Sequence, residues 1–326
     1  CIPCNLLRVF SDVEETVGFI TGLFFDERAN PYYRNEAERF LRHALQLLDA
    51  AQVPRTFVWI NEIFYSERTR RNLLSAAKKI AKPSDPFFLY FESEFAEMNS
   101  RDRSERFSGF TSILSSFTSE PLREIFNSES DGLNLSEMFS KNLPVIVRVP
   151  GEAYGELSAR IVQAFIKAIP ILIARRRGEL DRKDYFILLD EGCSYLNETV
   201  VDLLKKAGSA GVKILVTRMS DADFEAVSPA FKGKMISAFS VFVCFQTMDP
   251  DTRENLARLS MTVDDVKFTR RTSIGQDTGE GSARDVQRFR IHPTEFGKLK
   301  TGECFVIAPS LSIFRKAQII PVGGLS

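Results

Sequence analysis

In the stretch YFILLDE, residues 185–191, an apolar run delivers two adjacent carboxylates, Asp190 and Glu191. Such a pair at the end of a buried strand suits phosphate chemistry. Asp190 would hold the Mg²⁺ of a nucleotide through water, and Glu191 would polarise the attacking water. Magnesium is a hard ion that takes oxygen ligands, so a carboxylate is the side chain it requires. The same ending also occurs where a strand exits into a helix N-terminus, because acids complement that end of the dipole. The phosphates themselves need a glycine-rich cradle of the form GxxxxGK[ST]. None of the 18 glycines belongs to one: Gly233-Lys234 and Gly297-Lys298 are followed by Met235 and Leu299. Without that cradle, residues 1–326 alone are expected not to hydrolyse ATP.

Other chemistries find less support. The only histidines, His43 and His292, provide neither an H-E-x-x-H metal site nor a Ser-His-Asp set. Five cysteines, Cys1, Cys4, Cys193, Cys244 and Cys304, are odd in number and dispersed, which fits a reducing cytoplasm rather than a disulfide framework. The C-x-x-C of Cys1 and Cys4 lacks a second pair and reads as chance. Forty-three basic residues balance 43 acidic ones, so a histone-like binder is excluded and any anionic partner must meet local patches. With 44% hydrophobic and 26% charged residues over 326, the chain is globular and long enough for roughly two domains. The longest apolar stretches, Ala168–Ala174 and Ala238–Phe245, fall short of the ~20 residues of a bilayer span, so none is expected. The chain does not begin with Met and carries no targeting segment, so its start reads as processed or truncated.

The elements that must position Asp190 and Glu191 follow from periodicity. Ser11 to Glu14, SDVE, reads as a capping box opening a helix through Val13, Val17, Ile20 and Phe24. Ala37, Phe40, Leu41, Ala44, Leu45 and Leu48 hold helical spacing, as do Leu73, Leu74, Ala77, Ile80 and Ala81, and then Phe107, Phe110, Leu114 and Phe117. Residues 11 to about 127 are thus expected to be a helical module whose phenylalanines, like His43, are core rather than a base-stacking platform. Beyond Gly132 the period changes. PVIVRV (144–149), DYFILL (184–189), VKILV (212–216) and SVFVCF (240–245) read as buried strands separated by helices, which predicts right-handed crossovers and a parallel sheet covered on both faces. ECFVIA (303–308) and AQIIPV (317–322) are expected to add an edge hairpin, and the polar stretch Arg270 to Arg288 to be a mobile loop. Ligands of such sheets bind at the carboxyl ends of the strands, where Asp190 falls.

Six segments in order resemble the cytoplasmic part of type IV secretion coupling proteins of the TraD/TraG family. These are CNLLRVFSD (4–12), NEAERFLRHAL (35–45), LNLSEMFSKNLPVIVRVP (133–150), ILLDEGCSYL (187–196), LLKKAGSAGVKILVTRMSDADFEA (203–226) and FRIHPTEFGKLKTGECFVI (289–307). In that resemblance ILLDE is the Walker B element, and the phosphate loop and membrane anchor lie upstream of Cys1. The implied fold class is α/β: a RecA-like P-loop NTPase sheet with helices on both faces plus an inserted all-α domain. The implied domains are residues 1–10, ending an N-terminal nucleotide-binding segment, 11–130, the all-α insertion, and 131–326, the Walker B half of the RecA-like domain.

The resemblance further implies ATP and Mg as cofactors and a homo-hexameric ring at the cytoplasmic face of the bacterial inner membrane. Its expected partners are relaxase-bound single-stranded DNA, an accessory relaxosome protein and components of the type IV secretion channel. Arg218 and Met219 fall at the nucleotide-sensing position, where the family usually has a glutamine; Gly208 stands where many members carry arginine. A thioether makes no strong hydrogen bond to a γ-phosphate, so coupling of hydrolysis to movement is questioned at Met219. Lys205, Lys206, Lys232, Lys234, Arg270 and Arg271 are the candidate DNA contacts, neutralising phosphates without reading sequence, with solvated faces as the alternative. Arg175 to Arg177 reads as the cationic end of a helix, and His292 as ordering the last hairpin. A catalytically silent adaptor that docks relaxase and DNA remains the alternative to a motor.

Overall fold

Helix caps set the architecture of the first half. The computed structural model describes residues 3–25, 29–129, 132–149, 155–176, 184–190, 195–273 and 276–320. Helix α1 (Val13–Phe24) is capped by Asp12, whose carboxylate accepts from the Glu15 amide at 2.8 Å, while Glu15 accepts from the Ser11 amide at 3.2 Å. The box therefore sits one residue later than SDVE predicts, because Glu14 is drawn away to Arg42, whose Nη2 it meets at 2.9 Å. Asn30, Thr56, Ser66 and Asn99 start α2 (Pro31–Ala50), α3 (Phe57–Tyr65), α4 (Glu67–Ala77) and α7 (Ser100–Thr118) in the same way. Between α4 and α7 lie α5 (Pro86–Leu89), a π turn (Tyr90–Glu94) and α6 (Phe95–Glu97); α8 (Leu122–Phe126) and α9 (Leu135–Ser140) follow. From Val13 to Phe126 the described residues contain no strand.

The phenylalanines of this half are core, as their spacing predicts. The Phe40 ring lies 5.3–6.1 Å from those of Phe64, Phe91, Phe95, Phe107 and Phe110. Cys4 bridges Leu133 in parallel, and the Leu133 amide donates to the Pro3 carbonyl at 2.7 Å, so the two ends of the helical run are adjacent. Gly132 permits that approach: a Cβ there would run into the Pro3 carbonyl.

The chain divides into two compact units, one of residues up to Ile187 with Lys206–Lys213, the other of Leu188–Lys205 with Ile214 onward. Strands β1 (Tyr185–Leu189) and β2 (Val212–Val216) form a two-stranded sheet. The Tyr185 amide donates to the Gly211 carbonyl and the Thr217 amide to the Leu189 carbonyl, each at 3.0 Å, so the strands run parallel. Gly211, with φ +68°, supplies the left-handed turn into β2. The expected broad parallel sheet is not found among the described residues. Residues 143–149 make no strand, with Ile146 exposed, because the PVIVRV run finds no ladder partner. Phe186 is 74% exposed, so a face of this small sheet stands uncovered.

SVFVCF joins a different sheet. Strand β3 (Phe242–Cys244) pairs antiparallel with β6 (Glu303–Ala308), which pairs with β7 (Ile313–Gln318). The closing hairpin is thus confirmed for residues 303–308, but its second arm is IFRKAQ rather than 317–322. Ser312 takes a left-handed turn that reverses the chain sooner than the AQIIPV pattern predicts. The expected mobile loop is likewise overturned. Strands β4 (Thr262–Ser273) and β5 (Gln276–Phe289) make one long antiparallel hairpin, with an irregularity between Arg270 and Thr272. A solvated two-stranded ladder needs no apolar face to satisfy its backbone, so polarity concealed it. Cys244, Leu256, Ala257, Ile291, Phe296 and Ile307 are the core of this unit.

The helix Glu156–Arg176 also corrects an expectation. Its segment Leu157–Arg175 is long and apolar enough to cross a membrane by length and composition, a property hidden in the sequence because Arg160 and Lys167 interrupt the apolar stretch. Within its unit Ile161, Ala164, Ala168 and Leu172 are buried, and the helix packs against α1.

Candidate functional site

Two parallel strands end side by side, and the residue after each is polar. Asp190 follows β1 and is exposed. Thr217 follows β2, and its hydroxyl donates to Asp190 Oδ1 at 2.6 Å. The Tyr195 hydroxyl donates to the Asp190 carbonyl. Asp190 Oδ2 has no partner among the described residues, so one hard oxygen remains available to a cation. Glu191, the second carboxylate of the expected pair, lies outside the described residues, as do Arg177, Cys1 and Cys193. A carboxylate oxygen is the hard ligand a magnesium ion takes, so Asp190 fits that ion; no cluster of three acidic, His or Cys groups occurs among the described residues.

The segment after Thr217 is anchored by acids. Arg218 forms an ion pair with Asp221 and lies over the Phe224 ring, 4.5 Å from its centroid. Asp221 is 2% exposed, accepts from Asn255 Nδ2 at 2.6 Å, and its amide donates to the buried Thr252 hydroxyl at 2.9 Å. The Asp223 carboxylate accepts from the amides of Met219 and Ser220 at 2.9 and 3.0 Å. Met219 itself stands 89% exposed. The structure therefore brings Asp190 and Thr217 together and anchors Arg218, with Met219 directed to solvent.

The candidate DNA contacts fall on separate elements. Lys205 and Lys206 are exposed near the end of the helix Glu198–Ala207, where cations complement the dipole. Lys232, in the helix Phe231–Ala238, is paired with Glu225 and lies 3.8 Å from Asp221; its hydrogen bond to Glu225 holds the ammonium above its usual range. Lys234, on the same helix, is exposed. Arg270 and Arg271 belong to β4, with Arg270 opposite Gly281 in the ladder; their side chains lie outside the described residues. His292 caps the helix Pro293–Gly297, its Nδ1 2.8 Å from the Thr294 hydroxyl, rather than contacting the hairpin it was expected to order.

Sequence reasoning missed Thr217, Tyr195 and Asp221. A hydroxyl directly after a strand that neighbours the Asp190 strand was the available signal for Thr217. Nothing in the order SDAD distinguished the buried Asp221 from the half-buried Asp223.

No protein-family model and no curated protein matches the chain. Solved structures do. An unbound form of the bacterial conjugative coupling protein TrwBdeltaN70 superposes with a TM-score of 0.66 at 11% identity, covering 98% of this chain and 71% of that one. Plasmid coupling protein TrwB in complex with ADP and Mg²⁺ gives 0.63 at 14% identity, over 97% and 70%. TrwB with a non-hydrolysable ATP analogue gives 0.63 at 14%, over the same shares. The chain has the fold of a conjugative coupling protein, and at the level of fold the resemblance to the TraD/TraG family is borne out.

Proposed function

We propose that the chain is the Walker B part of a conjugative coupling protein, an ATP-driven motor that moves DNA. The observation that carries this reading is Asp190, exposed at the carboxyl end of β1 and oriented by Thr217 of the neighbouring strand, within a coupling-protein fold. When bound, the magnesium nucleotide would supply the phosphoryl group to be cleaved. Asp190 would order the ion's water shell, Glu191 would activate the attacking water, and Thr217 would fix the rotamer of Asp190. Arg218 and Met219 would sit at the sensing position, with Asp221 restraining the loop. Lys205, Lys206, Lys232, Lys234, Arg270 and Arg271 would be the DNA contacts, of which Lys232 is already engaged by Glu225.

In this reading residues 11–130 form an inserted all-α domain between 1–10 and the nucleotide-binding domain of 131–326. The pairing of Cys4 with Leu133 supports an insertion, since an inserted domain leaves and rejoins its host at neighbouring points. The assembly would be a homo-hexamer at the cytoplasmic face of the inner membrane, receiving relaxase-bound single-stranded DNA and an accessory relaxosome protein and feeding the type IV secretion channel. ATP hydrolysis by a longer protein carrying a phosphate loop, compared with its Glu191→Gln and Asp190→Asn variants, tests it. DNA-stimulated turnover lost in both variants is expected, and equal rates in all three proteins reject the motor.

A second reading, a silent adaptor that docks DNA and relaxase, is favoured by Met219, which lies in solvent and has no strong hydrogen bond to offer a γ-phosphate. Magnesium-dependent ATP binding by the longer protein, lost on Asp190→Ala, rejects it.

A further inference from the structure

A pocket of about 620 Å³ in the helical unit is lined by Tyr65, Arg70, Leu74, Phe91, Ala96 and Arg103 among others. Two guanidinium groups there have no carboxylate partner. Arg70 is buried, and its Nη1 donates to the carbonyls of Ile63 and Phe64, in the last turn of α3, at 2.7 and 2.9 Å. Arg103 Nη2 donates to the Phe95 carbonyl at 3.0 Å, while its Nε is buried with no acceptor at all. Both groups lie over the Phe95 ring, 5.1 and 4.6 Å from its centroid. The neighbouring cations are already neutralised, Arg71 by Glu67 and Lys78 by Glu92.

A structural role, in which both arginines tie down helix ends, accounts for Nη1 of Arg70 and Nη2 of Arg103. It leaves Nε of Arg103 orphaned and two full charges facing roughly half-unit helix dipoles and a neutral ring. Burial first, and then the charge of Arg103, push the Arg70 guanidinium down to about 10, while Glu67 on the pocket wall acts in the opposite sense. Two guanidinium groups lining one pocket are the arrangement that carboxylate and phosphate oxygens complete with charge-assisted hydrogen bonds.

We propose that the Arg70–Arg103 pair makes this pocket a binding site for an oxyanion, a carboxylate or a phosphate. The proposal is independent of the nucleotide reading and is tested on the chain as it stands. Titration calorimetry at low salt uses inorganic phosphate, acetylated triglutamate and, as a neutral control, acetylated triglutamine. Binding of phosphate, of triglutamate or of both, with none for triglutamine, is expected, and the stronger ligand identifies the source of the oxyanion. Arg103→Met, which keeps the apolar stem, should weaken that binding about tenfold or more, the loss of a charged hydrogen bond. Arg101→Met, an exposed cation on the same helix paired with Glu105, should leave it unchanged. Where Arg103→Met fails to fold, Arg103→Lys, which retains charge but loses the fork, should still weaken binding about fivefold. No binding of either anion, or equal affinity in the wild type and the Arg103 variant, overturns the proposal.

Discussion

Thr217 and Asp190, 27 residues apart in sequence, meet through a 2.6 Å hydrogen bond at the shared end of two parallel strands. The bond fixes one carboxylate oxygen and leaves the other to solvent. Thr217→Val should remove it, and the amides closing this strand end should then exchange about fivefold faster by hydrogen-exchange mass spectrometry. Asp190→Ala should match that effect. Asp190→Asn should fall short of it, because its amide oxygen still accepts from the hydroxyl.

The buried Asp221 carboxylate meets Arg218 and Asn255, with Lys232 at 3.8 Å, while its backbone amide donates to Thr252. Asp221→Ala strands the Arg218 guanidinium and should cost about 3 kcal/mol of local stability. The expected signature is faster exchange across residues 218–226 and 250–259, whereas Asp223→Ala should loosen only the Met219–Ser220 turn.

Phe40 packs against five other rings at the centre of the helical half. Phe40→Ala should destabilise that unit by about 4 kcal/mol, through lost burial and the cavity left behind. Trp59, the one tryptophan of the chain, lies on α3 and reports its unfolding by fluorescence.

His43 stacks on Tyr90 with ring centroids 4.4 Å apart, and burial holds its imidazole below the ordinary 6.5. The unfolded chain therefore binds this proton more readily than the folded one. Stability from the neutral ring is complete above pH 6.5 and is lost as pH falls from there toward the lower folded value. Denaturant midpoints read from Trp59 should decline over that window in the wild type and stay flat in His43→Phe. Glu14, lowered chiefly by its hydrogen bond to Arg42, loses its share only below its ordinary 4.5, so the two windows separate.

The sequence by itself determined the helical half, because burial there follows a local rule. Phe40, Leu41, Ala44 and Leu45 recur every three or four residues, and that spacing alone places them on one face whatever they later pack against. It also determined that Asp190 ends an apolar strand. Strand partnership was decided only by the tertiary structure. PVIVRV, VKILV and SVFVCF carry equivalent β-branched patterns, yet the first forms no strand, the second pairs with β1 and the third with β6. A strand's hydrogen bonds are satisfied by residues far away in the chain, so its own pattern cannot say which neighbour it will find. The same holds at the site: the spacing of YFILLDE marks Asp190, but only the meeting of two strand ends gives it Thr217, and only the packing of three helical segments sets Arg103 beside Arg70.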